Sequence, residues 1–119
     1  MNFSLSSRAV DGGVVVLDLQ GEVDAFTAPK LKQEMVSQIE RGAARIAVDL
    51  ADVTYLDSTG LGVLIGGLKR TRDKGGDLVL VCPNSRISRI FDITGLSRIF
   101  EMFAAESDAL ARLRGTTDA

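Results

Sequence analysis

Tyr55-Leu56-Asp57-Ser58-Thr59-Gly60-Leu61-Gly62-Val63-Leu64-Ile65-Gly66-Gly67-Leu68 is the stretch where an apolar strand hands over to a helix through a small polar corner. Leu61, Leu64, Ile65 and Leu68 keep the i, i+3, i+4, i+7 spacing of one helix face, so a helix is predicted from about Thr59. The corner Asp57-Ser58-Thr59-Gly60-Leu61-Gly62 sets a carboxylate and two hydroxyls at its start, with glycines that let another backbone approach. Ser, Thr and Asp are the ordinary helix-capping residues. On its residues alone the corner is therefore either a helix cap, with Ser58 the favoured capping residue, or a place that binds or accepts a phosphate.

Upstream of the corner, Phe3 to Val10 and Val14 to Leu19 read as two strands joined at the turn signal Asp11-Gly12-Gly13, an antiparallel hairpin. Gly21-Glu22-Val23-Asp24 reads as a loop leaving the second strand. Thr27 then offers a hydroxyl at an N-cap, with Pro29 in the first turn of a helix from about Ala28 to Arg41 whose inward face is Leu31, Met35, Val36 and Ile39. After Gly42, Arg45 to Leu50 reads as a short buried strand, Asp49 as a strand-end acid and Asp52 as a turn former.

Downstream, Lys69 to Lys74 reads as the solvated end of the helix that begins at the corner, stopped by Gly75-Gly76. Asp77 to Cys82 is a further strand. Arg86 to Thr94 is a short helix with Ile87, Ile90, Phe91 and Ile93 inward, and Arg86 and Arg89 at solvated positions. A last strand falls around Phe100 to Phe103 and a terminal helix over Ala109 to Leu113. Strands alternating with helices after an opening hairpin predict an α/β fold: a mixed four- to five-stranded sheet with about four helices. Residues 1–114 are expected to form one domain and 115–119 a flexible polar tail.

The chain has 119 residues, 45% hydrophobic and 25% charged, the balance of an ordinary globular domain with one core. A formal net charge of -2 without a basic patch gives a nucleic-acid partner no support. No run approaches the ~20 apolar residues of a membrane span, and the start lacks the layout of a signal peptide, so a cytoplasmic protein is expected. The single cysteine, Cys82, lies in an apolar run and reads as a small buried hydrophobe.

There is no histidine, which removes Ser-His-Asp and Cys-His nucleophile systems and the commonest zinc ligand. The G-x-S-x-G elbow and the phosphate loop G-x-x-x-x-G-K-[ST] are absent as well. Nothing points to an enzyme, a metal or a cofactor. Four glycines, Gly60, Gly62, Gly66 and Gly67, fall in one predicted helix at a cost of about 1 kcal/mol each relative to alanine. Close packing accounts for Gly66 and Gly67, and Gly62 fits packing and partner approach equally.

The D-S-T-G-L-G corner resembles that of the STAS domains of bacterial anti-sigma-factor antagonists. Its flanks agree in order: Gly21-Glu22-Val23-Asp24 with Thr27-Ala28, Val48-Asp49-Leu50 with Val53 and Leu56, and Ile90-Phe91 with Gly95-Leu96. The resemblance covers nearly the whole chain and implies the STAS fold. It further implies partner switching in control of transcription. The unphosphorylated antagonist would bind an anti-sigma-factor serine kinase and release its sigma factor; phosphorylation at Ser58 would abolish binding, and a metal-dependent serine/threonine phosphatase would reset the switch. Asp24, Asp57, Thr59, Gly60, Leu61 and Gly62 are the expected partner-binding residues, with Leu61 an apolar contact at the exposed start of the helix and Gly60 and Gly62 admitting the partner's nucleotide. No membrane or direct nucleic-acid contact is implied, and a monomer or weak dimer is expected. The alternative is a binding module of the same fold that senses a nucleotide or joins a stress-sensing assembly.

Overall fold

In the computed structural model, which describes residues 2–115, five strands form one mixed sheet in the order β1-β2-β3-β4-β5. Strands β1 (Phe3–Val10) and β2 (Val14–Val23) are an antiparallel hairpin in which Val10 faces Val14. Gly12 and Gly13 make its turn at φ 88° and 74°, a region that residues with a Cβ rarely enter. Strands β3 (Arg45–Leu56), β4 (Asp77–Val81) and β5 (Met102–Phe103) follow in parallel.

The crossovers carry α1 (Ala28–Glu40), α2 (Ser58–Asp73) and α3 (Ser85–Thr94), the last followed by a single 3-10 turn, Leu96–Arg98. All three helices cover one face of the sheet. Leu31 and Met35 of α1, Leu64 and Leu68 of α2, and Ile87 and Phe91 of α3 share a core with Leu17, Leu19, Ile46, Val48, Leu50, Leu78 and Leu80. Phe91 and Phe100 meet edge to face, with ring centroids 5.7 Å apart. The alternate strand residues Val14, Val16, Ala47, Val79 and Val81 point the other way, where α4 (Glu106–Gly115) covers them with Ala109, Leu110 and Leu113.

Three segments differ from expectation by more than two residues, one of them α4, which starts at Glu106 and not at Ala109; the other two are strands. Strand β2 continues through Val23, so Gly21-Glu22-Val23 is strand and not loop. Strand β3 does not stop at Leu50 but runs to Leu56, and Asp49 and Asp52 lie inside it, paired with Asp18 and Gln20. The pairing slips by one residue between Asp49 and Asp52 and by another between Val53 and Tyr55. These two bulges bring Leu50, Val53 and Leu56, spaced three apart, onto the same buried face. Asp49 serves the first bulge, its Oδ1 accepting the Ala51 N–H at 2.9 Å.

Smaller corrections follow from packing. Ile93 is exposed, because Ile87 and Phe91 fill the inward stripe of α3. A Cβ on Gly67 would lie 2.3 Å from Met35 Cε, so this glycine lets α2 close on α1 as expected; at Gly66 it would meet only the Arg70 side chain. Cys82 is buried, as expected, and burial pushes its thiol above the ordinary value. Gly115, expected in the tail, closes α4, and residues 116–119 of that tail lie outside the described residues. Among the described residues no helix is long and apolar enough to cross a membrane.

Candidate functional site

The corner forms where the parallel strands β2 and β3 end side by side and each turns into a helix. Asp57 is extended at φ -107° and ψ -174° and is the N-cap of α2. Its Oδ1 accepts the N–H groups of Thr59 at 3.0 Å and Gly60 at 3.2 Å, and its carbonyl accepts from Leu61 N at 3.0 Å. Its own N–H donates to the Val23 carbonyl at 3.2 Å, which ties the corner to the end of β2. A carboxylate at this end of a helix also faces the positive pole of the helix dipole.

Ser58 is therefore not the cap. It is the first residue of α2, it is exposed, and among the described residues its hydroxyl makes no hydrogen bond. Thr59 beside it is exposed too. The next two residues turn inward. Leu61 is 7% exposed and belongs to the main core, which overturns its expected place on the surface. Gly60 is buried beneath the corner, where a Cβ would lie 2.6 Å from Leu56 Cδ1 and 2.7 Å from Val23 Cγ1, so its small size serves internal packing. Gly62 is exposed with nothing within 4 Å of a Cβ position, so internal packing gives no reason for a glycine there.

Asp24 reaches the same corner from β2. Its Oδ1 accepts Phe26 N at 2.9 Å and Thr27 N at 3.0 Å. Thr27 does stand at the N-cap position of α1, but its hydroxyl turns back into the loop, donating to the Glu22 carbonyl at 2.7 Å and accepting from Asp24 N at 2.9 Å. Between the two strand ends lies an open depression of about 460 Å³ lined by Glu22, Asp24, Ala25, Phe26, Thr54, Tyr55 and Asp57. Phe26 is 79% exposed on its rim and Tyr55 50%.

Those two aromatics were not singled out from sequence. The signal for Phe26 was there: in Asp24-Ala25-Phe26-Thr27-Ala28-Pro29 it precedes the helix and has no place on either a strand or a helix face. Tyr55 became readable only with the bulge that opposes it to Glu22.

The site is acidic. Glu22, Asp24 and Asp57 line it, Asp52 lies next to it, and among the described residues no basic side chain comes within ion-pair distance of any of them. The trio of carboxylates close enough to share a cation is elsewhere, under α4: Asp18, Asp49 and Glu106. Arg8 already pairs there with Asp18 and with Glu106, each at 2.6 Å. Chemically the corner offers a free hydroxyl without a general base, since Asp57 is engaged in capping and the chain has no histidine. Such a hydroxyl can receive a group from another protein's active site but is poorly equipped to act as a nucleophile itself.

Known proteins resemble this chain in sequence and in fold. The sequence profile described as the STAS domain matches residues 7–109. The anti-sigma-B factor antagonist of Listeria monocytogenes is 40% identical over 109 residues, 91% of this chain and 95% of the relative. The anti-sigma factor antagonist SpoIIAA in its unphosphorylated form superposes with a TM-score of 0.82 at 26% identity, covering 94% of this chain and 97% of that one. The Bacillus cell fate determinant SpoIIAA in the phosphorylated form gives a TM-score of 0.74 at 25% identity, covering 93% and 100%.

Proposed function

The chain belongs to the STAS domain family, and on that footing we propose that it is an anti-sigma-factor antagonist switched at Ser58. The unphosphorylated form binds an anti-sigma-factor serine kinase in the cytoplasm and frees the sigma factor. Phosphorylation of Ser58 by that kinase abolishes binding, and a metal-dependent serine/threonine phosphatase restores it. The observation that carries this reading is the exposed Ser58 hydroxyl on the first turn of α2, unbonded among the described residues, beside carboxylates that no basic side chain of those residues pairs with.

A phosphate adds about -1.5 to -2 charges, taking the formal charge from -2 to roughly -4. The amides of Thr59 and Gly60 are already taken by Asp57, so they do not stand ready to absorb the new charge. The helix dipole favours it in place, while Asp57 and Asp24 leave it facing outward. Like charges brought together in a desolvated interface cost on the order of several kcal/mol, so the modified surface rejects the partner that the free one accepts. The fold need not change. The similarity of this chain to SpoIIAA in both its unphosphorylated and phosphorylated forms supports that view.

Asp24, Asp57, Thr59 and Gly62 meet the partner in this reading, and Gly60 and Leu61 hold the corner up from below. The test is incubation with the cognate kinase and ATP. Mass spectrometry should find one phosphate, on Ser58, and none on Ser58→Ala; a phosphate surviving in that variant sinks the assignment. In calorimetry Ser58→Ala should keep kinase binding and Ser58→Asp should lose it. Saturable binding of GTP or ATP by the isolated protein, with no kinase affinity, would redirect the reading to a nucleotide-sensing STAS module.

A further inference from the structure

Helix α3 carries two stripes. Ile87 and Phe91 point into the core. Arg86, Arg89 and Ile93, at i, i+3 and i+7, form a second stripe on its outer side, flanked by Ile90, which is partly buried against the core. Ile93 is 74% exposed, and the 3-10 turn that follows adds Arg98 and Ile99, the latter 41% exposed. Isoleucines this open are usually scattered singly; here two lie on one short segment with arginines between them.

The arginines are the second observation. Arg8, Arg72 and Arg112 each hold a carboxylate at 3.3 Å or closer. Arg86, Arg89 and Arg98 have no ion pair among the described residues; Arg41, Arg45 and Arg70 lack one too, but only the first three lie beside exposed isoleucines. The one acid of the helix, Asp92, borders the stripe three residues after Arg89 but forms no ion pair with it. Three unpaired guanidinium groups framing exposed aliphatic side chains call for a partner that brings carboxylates and an apolar face together.

We propose that the outer stripe of α3, continued by Arg98 and Ile99, docks an acidic amphipathic helix of a protein partner. A helix fits because ridges at i, i+3 and i+4 spacing pack into the grooves of another helix with the same spacing. The stripe from Arg86 to Ile93 spans about 10 Å, at 1.5 Å per residue, which matches two turns of such a partner. Arg supplies bidentate pairing to carboxylates while its stem lies along the isoleucines. This surface shares no residue with the Ser58 corner and is opposite to it in sign. It stands or falls without the switch proposed above.

The test uses the full chain and two synthetic 18-residue helices with leucine at i, i+3, i+4 and i+7, one with glutamate at the remaining positions and one with lysine. Fluorescence titration should show binding of the glutamate helix, and amide NMR shifts should cluster in residues 85–99. Arg86→Glu with Arg89→Glu should weaken binding by about tenfold or more, a loss to be expected for paired interface charges. Ile93→Ser, at an exposed position that cannot disturb the core, should weaken it too, with the circular dichroism spectrum unchanged in both variants. Equal binding of the lysine helix, shifts outside residues 85–99, or no effect of the charge reversal would overturn the proposal. So would co-sedimentation with phosphatidylglycerol vesicles in place of peptide binding, or a concentration-dependent dimer that Ile93→Ser abolishes.

Discussion

Asp24 and Asp57 stand at the ends of the neighbouring parallel strands β2 and β3 and do the same thing: each Oδ1 accepts the amides two and three residues further on. For Asp24 these are Phe26 at 2.9 Å and Thr27 at 3.0 Å; for Asp57 they are Thr59 at 3.0 Å and Gly60 at 3.2 Å. The bond from Asp57 N to the Val23 carbonyl joins the two turns. Each acid thus holds the entrance of its helix while its charge remains at the surface of the shared depression.

Removing the Asp57 cap separates structure from charge. Asp57→Ala should cost about 1 kcal/mol of stability, the usual loss for an N-cap truncation, whereas Asp57→Asn keeps an acceptor oxygen and should recover most of it. Urea unfolding of the three proteins measures this. If alanine and asparagine are equally stable, the carboxylate is not acting as the cap.

The two corner glycines should respond with opposite signs. At Gly60 a Cβ would press on Leu56 and Val23, and Gly60→Ala should destabilise by about 1–3 kcal/mol. At Gly62 the space is open and the backbone helical, so Gly62→Ala should stabilise by up to about 1 kcal/mol. A more stable Gly62→Ala protein that binds the kinase less well would fit the proposed approach of a partner to this position; unchanged binding would confine the role of Gly62 to the helix.

The exposed aromatics make a prediction about affinity alone. Phe26→Ala and Tyr55→Ala remove rings that stand 79% and 50% exposed, so stability should move by less than about 0.5 kcal/mol. Binding to the proposed kinase partner should fall, by about tenfold for the more exposed Phe26, since aromatic residues rimmed by polar groups are typical interface anchors. Calorimetry showing wild-type affinity in both variants would place the partner elsewhere.

Asp49 predicts a pH dependence. Burial pushes its carboxyl above the ordinary value of 3.8, with Asp18, Glu106 and Asp52 adding to the push and the Ala51 amide opposing it. The folded protein therefore holds this proton more tightly than the unfolded chain. The resulting contribution to stability is fully present below 3.8 and is lost as pH rises through the folded-state pKa. Asp49→Asn keeps the oxygen that accepts from Ala51 and cannot ionise. It should be more stable than the parent at neutral pH, by less than about 1 kcal/mol, and the difference should close as pH falls below 3.8. Thermal unfolding across that range decides it; a gap that widens in acid contradicts the assignment.

Much of this was legible in the residues. The hairpin followed from Asp11-Gly12-Gly13, α2 from the spacing of Leu61, Leu64 and Leu68, and the corner from the glycines and hydroxyls between strand and helix. The choice between Asp57 and Ser58 as cap was not, because adjacent capping residues differ only in which one the backbone leaves extended. Leu61 was pulled two ways. Its helical spacing put it inside, its place in the motif suggested outside, and the spacing prevailed. Strand β3 was cut short because Leu50, Val53 and Leu56 break the period of two that marks a strand, and only paired bulges reconcile them with one face.

Those bulges behave like a frameshift and its suppressor. From Asp18 opposite Asp49 to Val23 opposite Leu56, β3 gains two residues on β2, one at each slip. A single gain inverts every side chain beyond it, and the second restores the original phase before the chain reaches Asp57. Deleting Thr54 alone should therefore turn Leu56 outward and scramble the corner, while a compensating deletion of Ala51 should return Leu56 to the core on a shorter strand. The position of Ser58 is thus encoded less by the corner motif itself than by an even count of insertions upstream of it.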